Sequence, residues 1–166
     1  MEWSKKNELN SFNSLKALLY GEWFDGVIKR HFLPPIEASL DPIHCCNLMC
    51  SHCNAHRYLT SKKQWRMTDS HLMNLVGFLG KWGVKAVCFG GGGEPTLHTG
   101  LAQTLFYARS CNMESSVATN GTVLSKALVE AMASCCRWIG VSVDAASPKI
   151  YKIGRKVDLF NKAISN

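Results

Sequence analysis

The chain has 166 residues, enough for one ordinary domain with a real hydrophobic core. Apolar residues make up 46% and charged residues 19%, which excludes a disordered chain, and no run of 18 apolar residues suggests a membrane span. The net charge of +7 reads as a solvated basic surface; Lys62-Lys63 is too short a basic run to indicate nucleic acid.

Residues 1 to 14 are polar, and Met1 to Leu9 lack the apolar core of a signal peptide, so the cytosol is the expected compartment. From Leu15 to Phe32 the apolar residues Leu15, Leu18, Leu19, Phe24, Val27 and Ile28 recur at helical intervals. They predict one helix or two, interrupted near Gly21 or Gly26 and stopped by Pro34-Pro35. Ile36 to Leu40 alternates as a half-buried strand, and Asp41-Pro42 turns the chain into a cysteine run. Thr68 is an N-cap for a helix to about Lys81, with Leu72, Leu75, Val76 and Leu79 on one face and Gly83 closing it. Val84 to Phe89 is continuously apolar, as in a strand covered on both faces. A helix over about 100–110 follows, then a strand from Ser115 to Ala118 ending in Thr119-Asn120-Gly121. Ser125 caps a helix with Leu128, Val129 and Met132 inward, and Trp138 to Val143 is a fourth strand ending at Asp144. A last helix starts after Ser147-Pro148.

Strand, loop and helix thus repeat about four times, which predicts an α/β fold with parallel strands and helices outside. In such folds ligands gather at the carboxyl ends of the strands. Every unusual motif falls there: cysteines after the first strand, glycines after the second, Thr-Asn-Gly after the third, Asp144 after the fourth.

Eight cysteines in a chain with long regular apolar runs favour reduced thiols or metal ligands over a disulfide framework. Cys46, Cys50 and Cys53 stand at C-x3-C-x2-C spacing, so one loop can wrap a metal or cluster. Three thiolates can hold three irons of a cubane and leave the fourth open. A helical stripe is the plain alternative, since positions 0, 4 and 7 share a helix face, but Asn47, Ser51, His52 and Asn54 are polar. Zinc is the chemical alternative, with His52 or His56 as a fourth ligand, and Cys45 could replace Cys46.

Gly90 to Pro95 reads Gly-Gly-Gly-Gly-Glu-Pro. Glycines at a strand end let a ligand reach the main chain, and Glu94 adds an anionic acceptor suited to an ammonium group. No Lys and Ser or Thr follow, so a phosphate loop is not indicated. Thr119, Asn120, Ser142 and Asp144 could bond sugar hydroxyls or a zwitterion, although turn and cap chemistry explains each alone. His44 and His98 near the same rim read as surface or loop histidines, and Cys88 as a small buried strand residue. Cys111, Cys135 and Cys136 show no ligand spacing.

Together these residues resemble the radical S-adenosylmethionine (radical SAM) superfamily. Cys46, Cys50 and Cys53 match its hallmark, with the Cys46-Asn47-Leu48 opening; Gly92, Gly93, Glu94 and Pro95 match its Gly-Gly-Glu-Pro segment. Thr119-Asn120-Gly121 and Ser142-Val143-Asp144 look like its third- and fourth-strand endings. The resemblance covers about residues 36 to 166 and implies a partial (β/α) barrel there, with 1–35 as an N-terminal helical extension. It implies a [4Fe-4S] cluster on the three cysteines as metal ligands, with no catalytic residue beyond them. S-adenosylmethionine would chelate the open iron, its amine held by the Gly92–Pro95 segment, its ribose and carboxylate by residues such as Thr119, Asn120, Ser142 and Asp144. Arg155 lies where some peptide-modifying members have an arginine on that carboxylate. Reductive cleavage would give a 5′-deoxyadenosyl radical that takes hydrogen from a substrate, a peptide or protein by the subclass resemblance. A flavodoxin or ferredoxin would supply the electron.

The pattern departs from the family in supplying about four of six strand–helix units and no C-terminal cysteine-rich region. The expectation is a fragment, a truncated product or half of an assembly, with a bare strand edge and weak cluster binding by itself. A zinc-stabilised binding module and an inactive remnant are the competing readings.

Overall fold

The computed structural model describes residues 19–55, 59 and 65–166. The chain divides into two compact units, Met1–Pro35 and Ile36–Asn166. In the first, helix α1 spans Gly21–Ile28. Neither glycine interrupts it: the helix begins at Gly21 and continues through Gly26, where Leu33 packs so closely that a Cβ would strike its side chain. Leu15 and Leu18 lie outside the described residues.

The second unit alternates strands and helices: β1 (Glu37–Leu40), α2 (Asp69–Trp82), β2 (Ala86–Phe89), α3 (Leu101–Ser110), β3 (Glu114–Thr119), α4 (Lys126–Cys135), β4 (Cys136–Val141), α5 (Pro148–Arg155) and α6 (Phe160–Ser165). A short 3₁₀ turn, Pro95–Leu97, precedes α3. The strands form one parallel sheet in the order β1-β2-β3-β4. Leu40 pairs with Phe89 and Phe89 with Val117, so the first three strands stay level; Thr119 pairs with Val141 one step further on.

Local chemistry sets the helix ends. Thr68 accepts a hydrogen bond from the His71 N–H, Ser125 from Leu128 and Ser147 from Ile150. Gly83 closes α2 at φ 103°, a left-handed conformation that glycine adopts without strain. The core joins Leu40, Val87, Phe89 and Val117 of the sheet to Leu72, Val76 and Leu79 of α2, Leu101, Leu105 and Ala108 of α3, and Leu128, Ala131 and Met132 of α4. Each buried leucine or phenylalanine contributes about 1.5–3 kcal/mol, so this face holds the helices to the sheet.

Several expectations change. The fourth strand runs Cys136–Val141 rather than Trp138 to Val143, because α4 passes directly into it and the chain leaves the sheet before Ser142. In β2, Val87 and Phe89 are fully buried while Ala86 and Cys88 are half-buried, so the strand alternates instead of being covered on both faces. Cys88 therefore stands on the opposite face from the core. Val129 is 42% exposed, outward from Leu128 and Met132. The chain holds one helix more than expected after Ser147: Lys156, left-handed at φ 61°, ends α5, and α6 follows. On β4, Ile139 and Val141 sit in register with Val117 and Thr119 yet are 39% and 49% exposed. Among the described residues, this edge strand has a neighbour on one side alone.

Candidate cofactor site

Cys46, Cys50 and Cys53 lie on the irregular loop after β1, which excludes the helical stripe. The loop is pinned on both sides of Cys50: the Met49 N–H donates to the Arg155 carbonyl at 3.1 Å and the Ser51 N–H to the Gly154 carbonyl at 2.9 Å. Cys50 packs in a small buried cluster with Leu48 and Tyr151, and Cys46, Cys53, Val143, Ala145 and Phe160 pack against it. N–H donors point at the sulfurs. Leu48 reaches Cys46 Sγ at 3.4 Å, Asn120 Nδ2 reaches it at 3.8 Å, and Arg155 reaches Cys50 Sγ at 3.1 Å.

The glycine segment joins the same place from β2. The Gly92 N–H donates to Asp41 Oδ1 at 3.0 Å, and the Glu94 N–H to the Cys45 carbonyl at 2.8 Å. Gly93 is required by space: a Cβ there would run into the Ile43 carbonyl and the main chain of Cys45. Gly91, at φ 97°, faces the Asp41 carboxylate with no room for a side chain. The segment thus lies against the chain entering the cysteine loop.

Glu94 is buried, and four protein donors occupy its carboxylate. Oε1 accepts from the Thr96 N–H, the Thr96 hydroxyl and the Thr119 hydroxyl at 3.2, 2.7 and 2.6 Å; Oε2 accepts from the Asn120 N–H at 2.7 Å. Glu94 therefore ties the β2 loop to the end of β3, and Pro95 begins the 3₁₀ turn behind it. The Gly92 and Gly93 carbonyls accept no hydrogen bond among the described residues.

Asn120 links three segments. Its Nδ2 donates to Asn47 Oδ1 at 2.9 Å, and its Oδ1 accepts from the Thr122 N–H and hydroxyl at 2.9 and 2.7 Å. Asn47 Nδ2 donates to the Thr122 hydroxyl at 2.7 Å, closing a ring. From the fourth strand end, Arg155 Nη2 donates to the Ser142 carbonyl at 2.8 Å and pairs with the Asp144 carboxylate. Ser142 is exposed, and Asp144 is more than half exposed at a left-handed φ of 54°. His52 Nε2 lies 3.6 Å from Asp144.

The electrostatics follow burial. Burial pushes the Cys46 thiol above its ordinary value; the Leu48 N–H opposes this, and nearby Glu94 and Cys50 add to it. Burial alone would lower Arg155, but its bond to Cys50 and the charges of Cys50 and Asp144 raise it. Burial also raises the Tyr151 phenol, against the pull of Arg155.

Sequence reasoning missed Asp41, Asn47, Thr122 and Tyr151. Asn47 stood inside the cysteine motif and Thr122 directly after Thr-Asn-Gly, so position pointed to both; Tyr151 had no local signal. His98 is a loop histidine, as expected, but an enclosed one at 2% exposure. Its Nε2 meets the Met67 carbonyl at 2.9 Å and its Nδ1 accepts from the Gly100 N–H at 3.2 Å, so both ring nitrogens serve the fold.

The donor set fits an iron–sulfur cluster. Three thiols share one loop in an apolar cup, with N–H groups aimed at two of the sulfurs. Two buried polar atoms in that cup, Tyr151 Oη and Arg155 Nε, have no partner among the described residues. Those residues also hold no group of three His, Cys, Asp or Glu side chains converging as one metal ion requires. His56, the other histidine considered for zinc, lies outside the described residues.

A family model described as "Radical SAM superfamily" matches residues 40–166. The chain belongs to the radical SAM superfamily. Members of this family use a [4Fe-4S] cluster and S-adenosylmethionine. Among curated proteins, the chain is 31% identical over 100 residues to an S-adenosylmethionine-dependent nucleotide dehydratase of Thermoplasmatales archaeon (strain ISO4-H5). It is 30% identical over 100 residues to an Fe-coproporphyrin III synthase of Methanosarcina barkeri. Each match covers 60% of this chain, but 34% of the first relative and 25% of the second. Streptococcus suis SuiB bound to S-adenosylmethionine shares the fold at a TM-score of 0.69 with 19% identity, over 90% of this chain and 35% of SuiB. The anSMEcpe structure with bound AdoMet matches at 0.63 with 25% identity, over 80% of this chain and 39% of that one. The parallel sheet and its helices are thus the radical SAM partial barrel. No helix among the described residues is long and apolar enough to cross a membrane.

Proposed function

We propose that residues 36–166 are the cofactor-holding part of a radical SAM enzyme, with 1–35 as an extension. One observation carries this reading: Glu94, Asn120 and Arg155 draw the cysteine loop, the glycine segment and the ends of β3 and β4 to one end of the sheet. Cys46, Cys50 and Cys53 hold the cluster. When bound, it supplies the electron that cleaves S-adenosylmethionine to a 5′-deoxyadenosyl radical, which takes hydrogen from the substrate.

The chain's own residues bind and orient. Gly92 and Gly93 would hold the methionyl ammonium through their main-chain carbonyls, while Glu94 and Pro95 hold that segment in place. Ser142, Asp144 and Arg155 at the fourth strand end would face the ribose and carboxylate, Arg155 supplying positive charge, while Thr119 and Asn120, whose side chains bond Glu94, Asn47 and Thr122, would hold the wall of that space in place. Leu48, Tyr151 and Phe160 keep water from the cysteine side, which strengthens each of these contacts.

The substrate we propose is a peptide or protein, on the place of Arg155. A nucleotide is the second reading, favoured by the 31% identity to a nucleotide dehydratase. The electron donor is a flavodoxin or ferredoxin; exposed Lys149, Lys152 and Lys156 around α5 suit such acidic carriers. Thiolate ligands suit the reducing cytosol.

Anaerobic reconstitution with iron and sulfide tests the reading. The chain takes up close to four irons per molecule, S-adenosylmethionine perturbs the spectrum of the reduced centre, and the triple Cys→Ala chain at 46, 50 and 53 takes up none. Equal uptake by the triple variant, or one tightly held zinc, sinks it.

A further inference from the structure

Tyr151 is buried to 1% exposure on the inner face of α5, yet its hydroxyl has no hydrogen-bond partner among the described residues. An unpaired buried hydroxyl is destabilising, so its presence calls for an acceptor. The ring is well held. It packs on Leu48 and Cys50, meets Phe160 edge-on with centroids 5.7 Å apart, and lies 6.0 Å from the Arg155 guanidinium carbon. A phenylalanine would make all of those contacts; the oxygen alone lacks a use in the fold.

We propose that the Tyr151 hydroxyl is a positioning donor, reserved for a sulfur of the iron–sulfur centre that Cys46, Cys50 and Cys53 hold. This rests on the cofactor reading above. A hydrogen bond to a cluster sulfur withdraws negative charge from the centre and favours its reduced form. Leu48 and Asn120 already donate to Cys46 and Arg155 to Cys50, so Tyr151 adds a fourth donor to the same loop. The acceptor is the loaded centre rather than a free thiol, because Cys50 already packs with Tyr151 and leaves its oxygen unpaired.

The test is Tyr151→Phe, compared with the parent chain in two states. Without metal, the variant unfolds at the same temperature as the parent or higher, since an unpaired hydroxyl has been removed. Loaded anaerobically, it takes up iron normally, but at a fixed poise its reduced-to-oxidised ratio falls by roughly tenfold, the weight of one hydrogen bond to a charged acceptor. Electron paramagnetic resonance of the reduced centre shifts with it. A metal-free variant that melts lower would mean the hydroxyl serves the protein or a free thiol, and overturns the proposal. So does a loaded variant with an unchanged redox titration. Failure of the parent chain itself to take up iron would sink the cofactor reading instead, and the two failures are read from different samples.

Discussion

Glu94 Oε1 and Thr119 Oγ1 stand 2.6 Å apart although 25 residues separate them. This bond closes the β2 loop onto the end of β3, and Glu94 Oε2 extends it to the Asn120 main chain. Replacing Glu94 with Ala leaves buried donors on Thr96, Thr119 and Asn120 without an acceptor. The expected cost is roughly 3 kcal/mol or more by chemical denaturation, with Glu94→Gln less costly but still destabilising. A neutral result for both would show that water reaches this carboxylate.

Two glycines near the cysteine loop give opposite outcomes. Gly93→Ala pushes a methyl into the Ile43 carbonyl and Cys45 main chain, so it destabilises by about 1–3 kcal/mol and displaces the loop, lowering iron uptake. Gly154→Ala meets open space inside α5 and adds roughly 0.5–1 kcal/mol of stability by helix propensity. Thermal melts of the two variants, measured side by side, check both signs.

Arg155 makes three different bonds, to Cys50, the Ser142 carbonyl and Asp144. A lysine lacks the planar fork to reach all of them. Arg155→Lys therefore loses about 1–3 kcal/mol of stability and frees the end of β4 from the cysteine loop. Backbone amide exchange at Met49 and Ser51, which donate to the last turn of α5, should speed up in the variant; unchanged exchange would contradict the link.

Burial, with the neighbouring Cys135 and Cys88 adding to it, pushes the Cys136 thiol up to about 12. At pH 9 roughly one part in a thousand is thiolate, so Cys136 resists alkylation in the folded chain and reacts on unfolding. The unfolded chain ionises this thiol near its ordinary value of 9.0, while the folded chain keeps its proton to about 12. Its contribution is therefore fully present below pH 9 and is lost as pH rises from there to about 12. Cys136→Ala should flatten stability against pH over that window.

Much of the architecture was legible in order. The sequence pattern marked β1 to β4 and α2 to α5 but not α6, and Thr68, Ser125 and Ser147 announced helix starts through their own side chains. Boundaries slipped where two elements meet without a turn, as at Cys135-Cys136, because a β-compatible run can begin wherever a helix stops.

Motif order along the chain was enough to place cysteines, glycines and Thr-Asn-Gly at successive strand ends, since each follows a strand pattern directly. Side-chain roles were another matter. Glu94 reads as an acceptor for a ligand's ammonium group but is buried under four protein donors; His98 reads as a surface or loop histidine near the rim and is a loop residue fully enclosed. Arg155 reaches Cys50 across 105 residues, and Tyr151 lies in the same cup. Burial and hydrogen-bond partners depend on which distant segments the sheet brings together, and only the packed chain decides that.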